Sequence, residues 1–194
     1  RLVLSGFGKD DEAYPLDMIK IPGLHNIENV MTAILAARIC GCQPDRIIQT
    51  VSGFRGIAHR IEFVEEKQGV AYYDDSKGTN VGAVIRALET FRNPVILLLG
   101  GRDKDGDFES LAPLIKERVK TLILFGEARE RIREKLEDLV ETELRPTLRA
   151  AVAAARNRAQ KGDVVLLSPG CASFDEFTDY KERGNFFQTM VKAF

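Results

Sequence analysis

Two short runs of apolar residues, 95–99 and 164–167, most constrain how this chain can fold. Neither run alternates polar and apolar side chains, as a strand with one face in water does, so each is predicted to be a strand covered on both faces. Helical patterns separate such runs along the chain. Strands separated by helices of this length form a mainly parallel sheet. The sequence therefore predicts an α/β fold with helices on both faces of the sheet.

Periodicity and glycine positions divide the chain into elements. Apolar residues recur at helical spacing over 27–39, and a second short helix is predicted from Pro44, because proline is favourable in a first helical turn. Gly53 and Gly56 then break the pattern, which predicts a domain boundary between residues 56 and 57. Beyond it, strands are predicted at 61–66, 70–75, 94–100, 119–125 and 163–168, with a hairpin at 67–69 and helices at 79–91, 107–118, 127–139, 146–160 and 182–193.

Composition excludes several classes of partner. Hydrophobic residues make up 44% and charged residues 29% of the chain, which is typical of a globular protein. The net charge is -1 and no basic stripe is present, so neither a nucleic acid nor a membrane surface is expected as a partner. No apolar run reaches the roughly 20 residues of a membrane span. Three cysteines without a secretory signal predict free thiols and a cytoplasmic protein.

Polar segments follow three of the predicted strands. They are residues 74–80, 100–104 and 168–175. Because ligands bind beyond the carboxyl ends of strands in open parallel sheets, these segments are expected to form one shared site. This geometry predicts where a ligand binds without identifying the ligand.

The common nucleotide and hydrolase motifs are missing from the sequence. No G-x-G-x-x-G fingerprint occurs, and Gly8-Lys9 is followed by Asp10, where a P-loop requires serine or threonine. His25 and His59 lie far apart without a nucleophile context, which argues against a hydrolytic triad. Cys40 and Cys42 lack partners at zinc-site spacing. No metal site is predicted in this chain.

Six segments, in order along the chain, carry a resemblance to a known family. They are Gly23-Leu-His-Asn-Ile-Glu-Asn29, His59-Arg60, Asp74-Asp-Ser-Lys-Gly-Thr-Asn80, Gly100-Gly-Arg-Asp-Lys104, Leu167-Ser-Pro-Gly-Cys-Ala-Ser-Phe-Asp-Glu-Phe177 and Arg183-Gly184. Together they resemble the Mur ligases, a three-domain family. The resemblance implies that residues 57–194 are the Rossmann-like carboxy-terminal domain and that residues 1–56 are the helical tail of the central ATP-binding domain.

The resemblance also implies a reaction and its participants. The third and fifth segments look like those of the branch that adds D-glutamate to UDP-N-acetylmuramoyl-L-alanine during peptidoglycan synthesis. The implied reaction uses ATP and Mg²⁺ and forms an amide bond through an acyl phosphate. The P-loop and the magnesium ligands are expected upstream of this chain, so the chain alone is predicted to be inactive. The protein is expected to be a monomer.

Roles for individual residues follow from the same resemblance. The residues implied to bind ATP are Asn26, Asn29, Arg60 and Asp75. Lys77 and Arg60 are implied to be catalytic. The residues implied to bind D-glutamate are Thr79, Lys104, Ser173, Phe174 and Tyr180. Two alternatives stay open: a different Mur-type or folylpolyglutamate-type ligase, and a nucleotide-binding module that is inactive on its own.

Overall fold

The computed structural model describes residues 1–7, 10–136 and 138–194. Within them the chain forms two compact units, Arg1–Gly56 and Ile57–Phe194. The Gly8-Lys9 pair that was compared with a P-loop lies outside the described residues. No helix in the described part of the chain is long and apolar enough to cross a membrane.

The first unit is a small hairpin packed with two helices. Strands β1 (Leu2–Leu4) and β2 (Glu12–Tyr14) pair antiparallel and are followed by a 3-10 turn at Leu16–Met18. Helices α1 (Leu24–Ile39) and α2 (Pro44–Gly53) confirm the two predicted helices. The buried core of this unit consists of Tyr14, Met18, Val30, Ile34 and Ile47.

The second unit is built on a six-stranded sheet with the order β3-β4-β8-β5-β6-β7. Its strands are β3 (Glu62–Lys67), β4 (Val70–Asp74), β5 (Val95–Gly100), β6 (Val119–Phe125), β7 (Glu141–Arg145) and β8 (Val164–Gly170). The hairpin partners β3 and β4 are antiparallel, and every other neighbouring pair is parallel. The predicted mainly parallel sheet is confirmed, and the two all-apolar runs are its central strands, β8 and β5.

Helices cover both faces of this sheet, as predicted. They are α3 (Val81–Leu88), α4 (Ala112–Arg118), α5 (Arg129–Leu136), α6 (Leu148–Arg158) and α7 (Tyr180–Lys192). Side chains alternate along each strand, so Leu97 and Leu99 join one core with α3, α4 and α5. Ile96 and Leu98 join the other core, with α6 and α7.

In the second unit, the sequence analysis missed one strand and misjudged one helix. Strand β7 reads Glu-Thr-Glu-Leu-Arg and pairs only with β6 at the edge of the sheet, so it has no apolar run that would predict it. The helix predicted over 107–118 is instead a 3-10 turn at Phe108–Leu111 followed by α4. Pro113 in the first turn of α4 explains the break, because proline is tolerated in a first turn but not in a helix interior.

Candidate functional site

The three polar segments meet at one edge of the sheet in the second unit. They follow β4, β8 and β5, which are neighbouring parallel strands, so their carboxyl ends share that edge. The loops are also bonded to one another. Gly170 donates its N–H to the carbonyl of Gly78 (2.9 Å), and Arg102 and Ala172 exchange backbone hydrogen bonds of 2.8 and 2.9 Å. The predicted shared location of these segments is therefore confirmed.

Glycine is required where the loop after β5 crosses its neighbours. A Cβ atom on Gly100 would lie 2.0 Å from the carbonyl oxygen of Phe125, and one on Gly101 would lie 2.4 Å from that of Ala172. Both glycines also have positive φ angles, +142° and +126°. The Gly-Gly pair thus lets this loop lie against β6 and against the loop after β8.

Arg183 connects the loop after β4 with the loop after β8. Its side chain is buried, and it donates from Nε to Ser76 Oγ (2.9 Å) and from Nη2 to the carbonyls of Ser76 (2.9 Å) and Cys171 (3.1 Å). Burial lowers the pKa of Arg183 to about 10, which leaves it charged at neutral pH. The sequence analysis quoted Arg183 within a motif but gave it no role. Its acceptors are backbone and hydroxyl groups far away in the chain, which no local pattern reveals.

Asp75 is enclosed at the end of β4. Its Oδ1 accepts a hydrogen bond from the N–H of Ile61 (3.2 Å), and its Oδ2 accepts one from the hydroxyl of Ser168 (2.7 Å). Burial raises the pKa of Asp75 to about 7, although these two hydrogen bonds oppose the rise. Asn80, not Asp75, caps helix α3, so simple helix capping does not explain this carboxylate.

A tight turn at residues 59–61 presents Arg60. His59 and Ile61 have left-handed φ angles of 63° and 45°. The turn is fixed because His59 Nδ1 lies 2.7 Å from Asp74 Oδ2 and the N–H of His59 donates to Glu62 Oε2 (2.8 Å). The side chain of Arg60 is exposed and carries its charge near Asp75.

The residues beneath this turn form a polar network, in which His59 and Asp74 are buried and Glu62 and Gln188 are partly buried. The ligand atoms of His59, Glu62 and Asp74 lie within 4.8 Å of one another, close enough to hold an ion. Gln188, however, donates to both Glu62 Oε2 (3.1 Å) and Asp74 Oδ2 (2.9 Å). These carboxylates are therefore occupied by protein donors, and the network positions the turn that carries Arg60.

Lys77 and Tyr180 face each other across the site. The ammonium of Lys77 lies 4.6 Å from the centroid of the Tyr180 ring and 3.3 Å from its hydroxyl oxygen. Thr79 follows two residues later and is half-buried, with its N–H donating to the carbonyl of Lys77 (2.9 Å). The loop after β4 thus brings Lys77 to Tyr180 at the start of α7.

Lys104 and Phe174 extend from the other two loops. Both are exposed, and the Lys104 ammonium lies 6.0 Å from the centroid of the Phe174 ring. The neighbouring acids Asp103 and Asp105 pair with Arg131, at 2.8 and 3.1 Å. No carboxylate among the described residues forms an ion pair with the Lys104 side chain.

Ser173 differs from these exposed residues because it is buried. Its carbonyl accepts hydrogen bonds from the N–H groups of Glu176 (3.2 Å) and Phe177 (2.8 Å), which closes the turn after β8. The backbone carbonyl of Ser173 therefore stabilises this turn. The contact of Ser173 with a ligand stays a prediction.

Asn26 and Asn29 belong to the first unit. Both lie in α1, whose N-terminal cap is Gly23, so Asn26 is not the cap of that helix. Asn26 Nδ2 donates to the carbonyl of Pro22 (2.6 Å), and Asn29 Nδ2 lies 3.5 Å from Asn26 Oδ1. The two amides share one face of α1, and their predicted role toward a nucleotide stays a prediction.

Comparison with known proteins gives this geometry a family. The fold is that of a Rossmann-like domain with three polar loops at one edge of its sheet, and residues 59–171 match the family described as "Mur ligase, glutamate ligase domain". The chain belongs to the Mur ligase family. Similar relatives include the UDP-N-acetylmuramoylalanine–D-glutamate ligases of Syntrophus aciditrophicus (strain SB), 65% identical over 100% of this chain, and of Geotalea daltonii, 49% identical over 90%. The chain spans 42% and 38% of the lengths of these two relatives.

Solved structures agree at the level of the fold. A pseudomurein peptide ligase type C from Methanothermus fervidus superposes with a TM-score of 0.69 at 16% identity, covering 94% of this chain and 38% of that one. A bifunctional folylpolyglutamate synthase/dihydrofolate synthase from Yersinia pestis CO92 gives 0.69 at 15% identity, covering 95% and 42%. At these identities the similarity shows a shared architecture alone.

Proposed function

We propose that this chain is part of an ATP-dependent ligase that adds D-glutamate to UDP-N-acetylmuramoyl-L-alanine in peptidoglycan synthesis. The observation that carries the proposal is the 65% identity, along the whole chain, to a relative named for that reaction. In this proposal, residues 57–194 are the carboxy-terminal domain of the ligase and residues 1–56 are the tail of its central ATP-binding domain.

The charge of the loop edge supports an anionic substrate. D-glutamate carries two carboxylates, which require cations and hydrogen-bond donors for binding. Lys104 supplies an exposed ammonium without a carboxylate partner among the described residues, and Thr79 supplies a hydroxyl. Ser173 and Phe174, on the loop after β8, complete the proposed D-glutamate pocket.

Arg60 and Asp75 are proposed to bind the nucleotide. Phosphoryl transfer requires positive charge close to the developing negative oxygens, and a guanidinium stays charged at any physiological pH. The exposed side chain of Arg60, on a turn held rigidly from below, fits this requirement. The carboxylate of Asp75 is buried and already accepts hydrogen bonds from Ile61 and Ser168. It is proposed to accept a further one from a ribose hydroxyl of the nucleotide.

The amide bond is proposed to form through an acyl phosphate, as the resemblance to the Mur ligases implies. Lys77 presents its ammonium at the same edge as Lys104, where it can stabilise negative charge as the amine of D-glutamate attacks. ATP supplies the phosphoryl group, and Mg²⁺ is proposed to bind residues that this chain does not contain. The sequence has no P-loop pattern, so the chain alone is expected to form no amide bond.

Substrate choice by the full-length ligase that contains this segment tests the proposal. Phosphate release is measured with UDP-N-acetylmuramoyl-L-alanine and, in separate reactions, D-glutamate, L-glutamate, L-alanine or meso-diaminopimelate. A parallel reaction contains a reduced folate and L-glutamate. Release that depends on D-glutamate alone is expected. Release only in the folate reaction, or only with another amino acid, would contradict the proposal, and the purified 194-residue chain serves as the inactive control.

A further inference from the structure

The Lys77–Tyr180 contact assigns a task to Tyr180 that differs from contacting the amino acid. The Lys77 ammonium lies over the ring, 4.6 Å from its centroid, and donates a hydrogen bond to the hydroxyl oxygen at 3.3 Å. A cation above an aromatic face is attracted by the negative face of the ring. The hydrogen bond to the hydroxyl holds the ammonium near the oxygen-bearing end of the ring. It therefore fixes where the ammonium lies over the ring as well as how far from the ring it lies.

The backbone around Tyr180 is anchored on the Lys77 side. The carbonyl of Tyr180 accepts a hydrogen bond from the hydroxyl of Ser76 (2.8 Å), the residue next to Lys77. Ser76 Oγ in turn accepts from Nε of the buried Arg183 (2.9 Å). Asp179 caps α7 by accepting from the N–H of Glu182 (2.8 Å), so the ring of Tyr180 leaves a well-formed helix start.

The backbone of Lys77 is anchored as firmly. Its N–H donates to the carbonyl of His59 (2.9 Å), and its carbonyl accepts from the N–H of Thr79 (2.9 Å). The ring of His59 also contacts the Tyr180 ring edge-on, with centroids 6.2 Å apart and planes at 79°. Both ends of the Lys77–Tyr180 contact are therefore tied to the buried network below the Arg60 turn.

The charge of Lys77 is held without being neutralised. Within the part of the chain that the structure describes, no carboxylate forms an ion pair with Lys77, and its ammonium contacts the ring and hydroxyl of Tyr180 instead. A carboxylate partner would compete with an anionic substrate for the ammonium. An aromatic face with one hydroxyl orients the cation and leaves N–H groups and net charge for a ligand.

We infer that Tyr180 is a positioning residue that holds Lys77 in the orientation required for the amide-forming step. This inference rests on the proposed function, because it assigns Tyr180 a task in that reaction. It predicts that the aromatic ring matters more than the hydroxyl, since the ring gives the larger contact. It also predicts that loss of the ring lowers the rate of the bound complex more than it weakens substrate binding.

The contact itself is tested in the 194-residue chain. Reductive methylation with ¹³C-formaldehyde labels the lysines, and Lys77→Arg identifies the Lys77 signal in the NMR spectrum. A methyl signal shifted upfield by the ring current of Tyr180 is expected in the native chain and in Tyr180→Phe, and its loss is expected in Tyr180→Leu. An unshifted Lys77 signal in the native chain would overturn the inference whatever reaction the ligase catalyses.

The task is tested by kinetics of the full-length ligase. Tyr180→Leu is expected to lower kcat about tenfold, which corresponds to about 1.4 kcal/mol, with KM values for ATP and D-glutamate within about twofold of native. Tyr180→Phe should keep kcat within about threefold. Thermal unfolding shows whether each variant is folded. If Tyr180→Leu is not folded, Tyr180→Met provides a second variant without the ring.

Two kinetic outcomes overturn the assignment. A rise in KM for D-glutamate with unchanged kcat would make Tyr180 a direct contact of the amino acid. Native kcat in both ring-free variants would remove any role in the reaction. If the native ligase shows no D-glutamate-dependent activity, the proposed function is wrong, and so is the task of Tyr180 in that reaction. The NMR test of the Lys77–Tyr180 contact would still be valid.

Discussion

At the scale of single residues, the buried carboxylate of Asp75 predicts how stability depends on pH. Burial raises its pKa from 3.8 to about 7, so between these values the folded chain keeps a proton that the unfolded chain releases. Stability therefore falls as pH rises through this window and levels off above about 7. Asp75→Asn removes this penalty, and its side-chain amide can still bond to Ser168.

Urea unfolding at pH values from 4 to 8 measures this effect. At about 1.4 kcal/mol per pKa unit, the asparagine variant should be more stable than the native chain by on the order of 4 kcal/mol at pH 8, and the difference should vanish near pH 4. Asp107→Asn, at an exposed position of the same unit, is the control and should show no such trend. A pH-independent difference for Asp75→Asn would disprove the raised pKa.

Lys104 gives the second prediction at this scale. Its ammonium is exposed, and Asp103 and Asp105 are paired with Arg131 instead, so it is available to a substrate carboxylate. A hydrogen bond to a charged group contributes about 1.5–3 kcal/mol, or roughly 10- to 150-fold in affinity. In the full-length ligase, Lys104→Met should reduce kcat/KM for D-glutamate at least tenfold and leave KM for ATP nearly unchanged.

A lysine outside the site provides the comparison for this variant. Lys116 is exposed on α4, and Lys116→Met should leave the kinetics for both substrates as they are. If Lys104→Met uses D-glutamate as well as the native ligase does, Lys104 is an ordinary loop residue.

The sequence predicted some parts of the site because their signal is local. Residues 74–80, 100–104 and 168–175 stand out as polar stretches directly after apolar strands, and the structure brings them together. Arg183 and His59 act through partners that are distant in the chain, such as Ser76 and Asp74. The sequence around Arg183 does not show that its guanidinium is buried.

At the scale of elements, Gly184 sets how closely α7 can lie against the Arg60 turn. A Cβ atom there would lie 2.2 Å from His59 Nδ1 and 2.8 Å from Asp74 Oδ2, and both of these residues are buried. Overpacking of this kind costs about 1–3 kcal/mol. Gly184→Ala is therefore expected to destabilise the chain by that amount in chemical denaturation, although alanine is the better helix former.

Gly53 in α2 offers the matched comparison. A Cβ atom there meets nothing within 4 Å, so Gly53→Ala should stabilise the chain by about 0.4–1 kcal/mol. Equal effects of the two substitutions would mean that helix propensity, rather than contact with His59, governs position 184.

The elements that the sequence predicted are those with a strong apolar pattern. Strands β5, β6 and β8 are buried along almost their whole length and lie within two residues of their predicted bounds. Strand β7 escaped prediction because an edge strand with charged side chains has the composition of a loop. Its pairing with β6 is set by the neighbouring strand rather than by its own residues.

At the scale of the whole molecule, residues 57–194 should fold independently. This unit has its own hydrophobic core on each face of its sheet, and its length is within the ordinary domain range of about 50–250 residues. A fragment of residues 57–194 is expected to unfold cooperatively, with a near-ultraviolet circular dichroism spectrum that shows fixed aromatic packing. A broad transition with no near-ultraviolet signal would show that the unit depends on residues 1–56.

The order of the strands was beyond prediction from this sequence. The last strand, β8, lies between β4 and β5, and no local pattern determines that insertion. It is consistent with burial, because the two most apolar runs occupy the two central places. The class of sheet follows from composition and spacing, whereas the topology depends on how all the strands compete for those central places.

The edge opposite the loops has a practical use. There the hairpin turn and the turn before β8 are bonded to each other, through the N–H of Gly162 and the carbonyl of Gly69 at 2.8 Å. Gln68, Asn93 and Lys161 at this edge are exposed. An affinity tag or a surface linker attached there would orient the immobilised domain with its three polar loops toward the solution, so that small molecules could be screened against them directly.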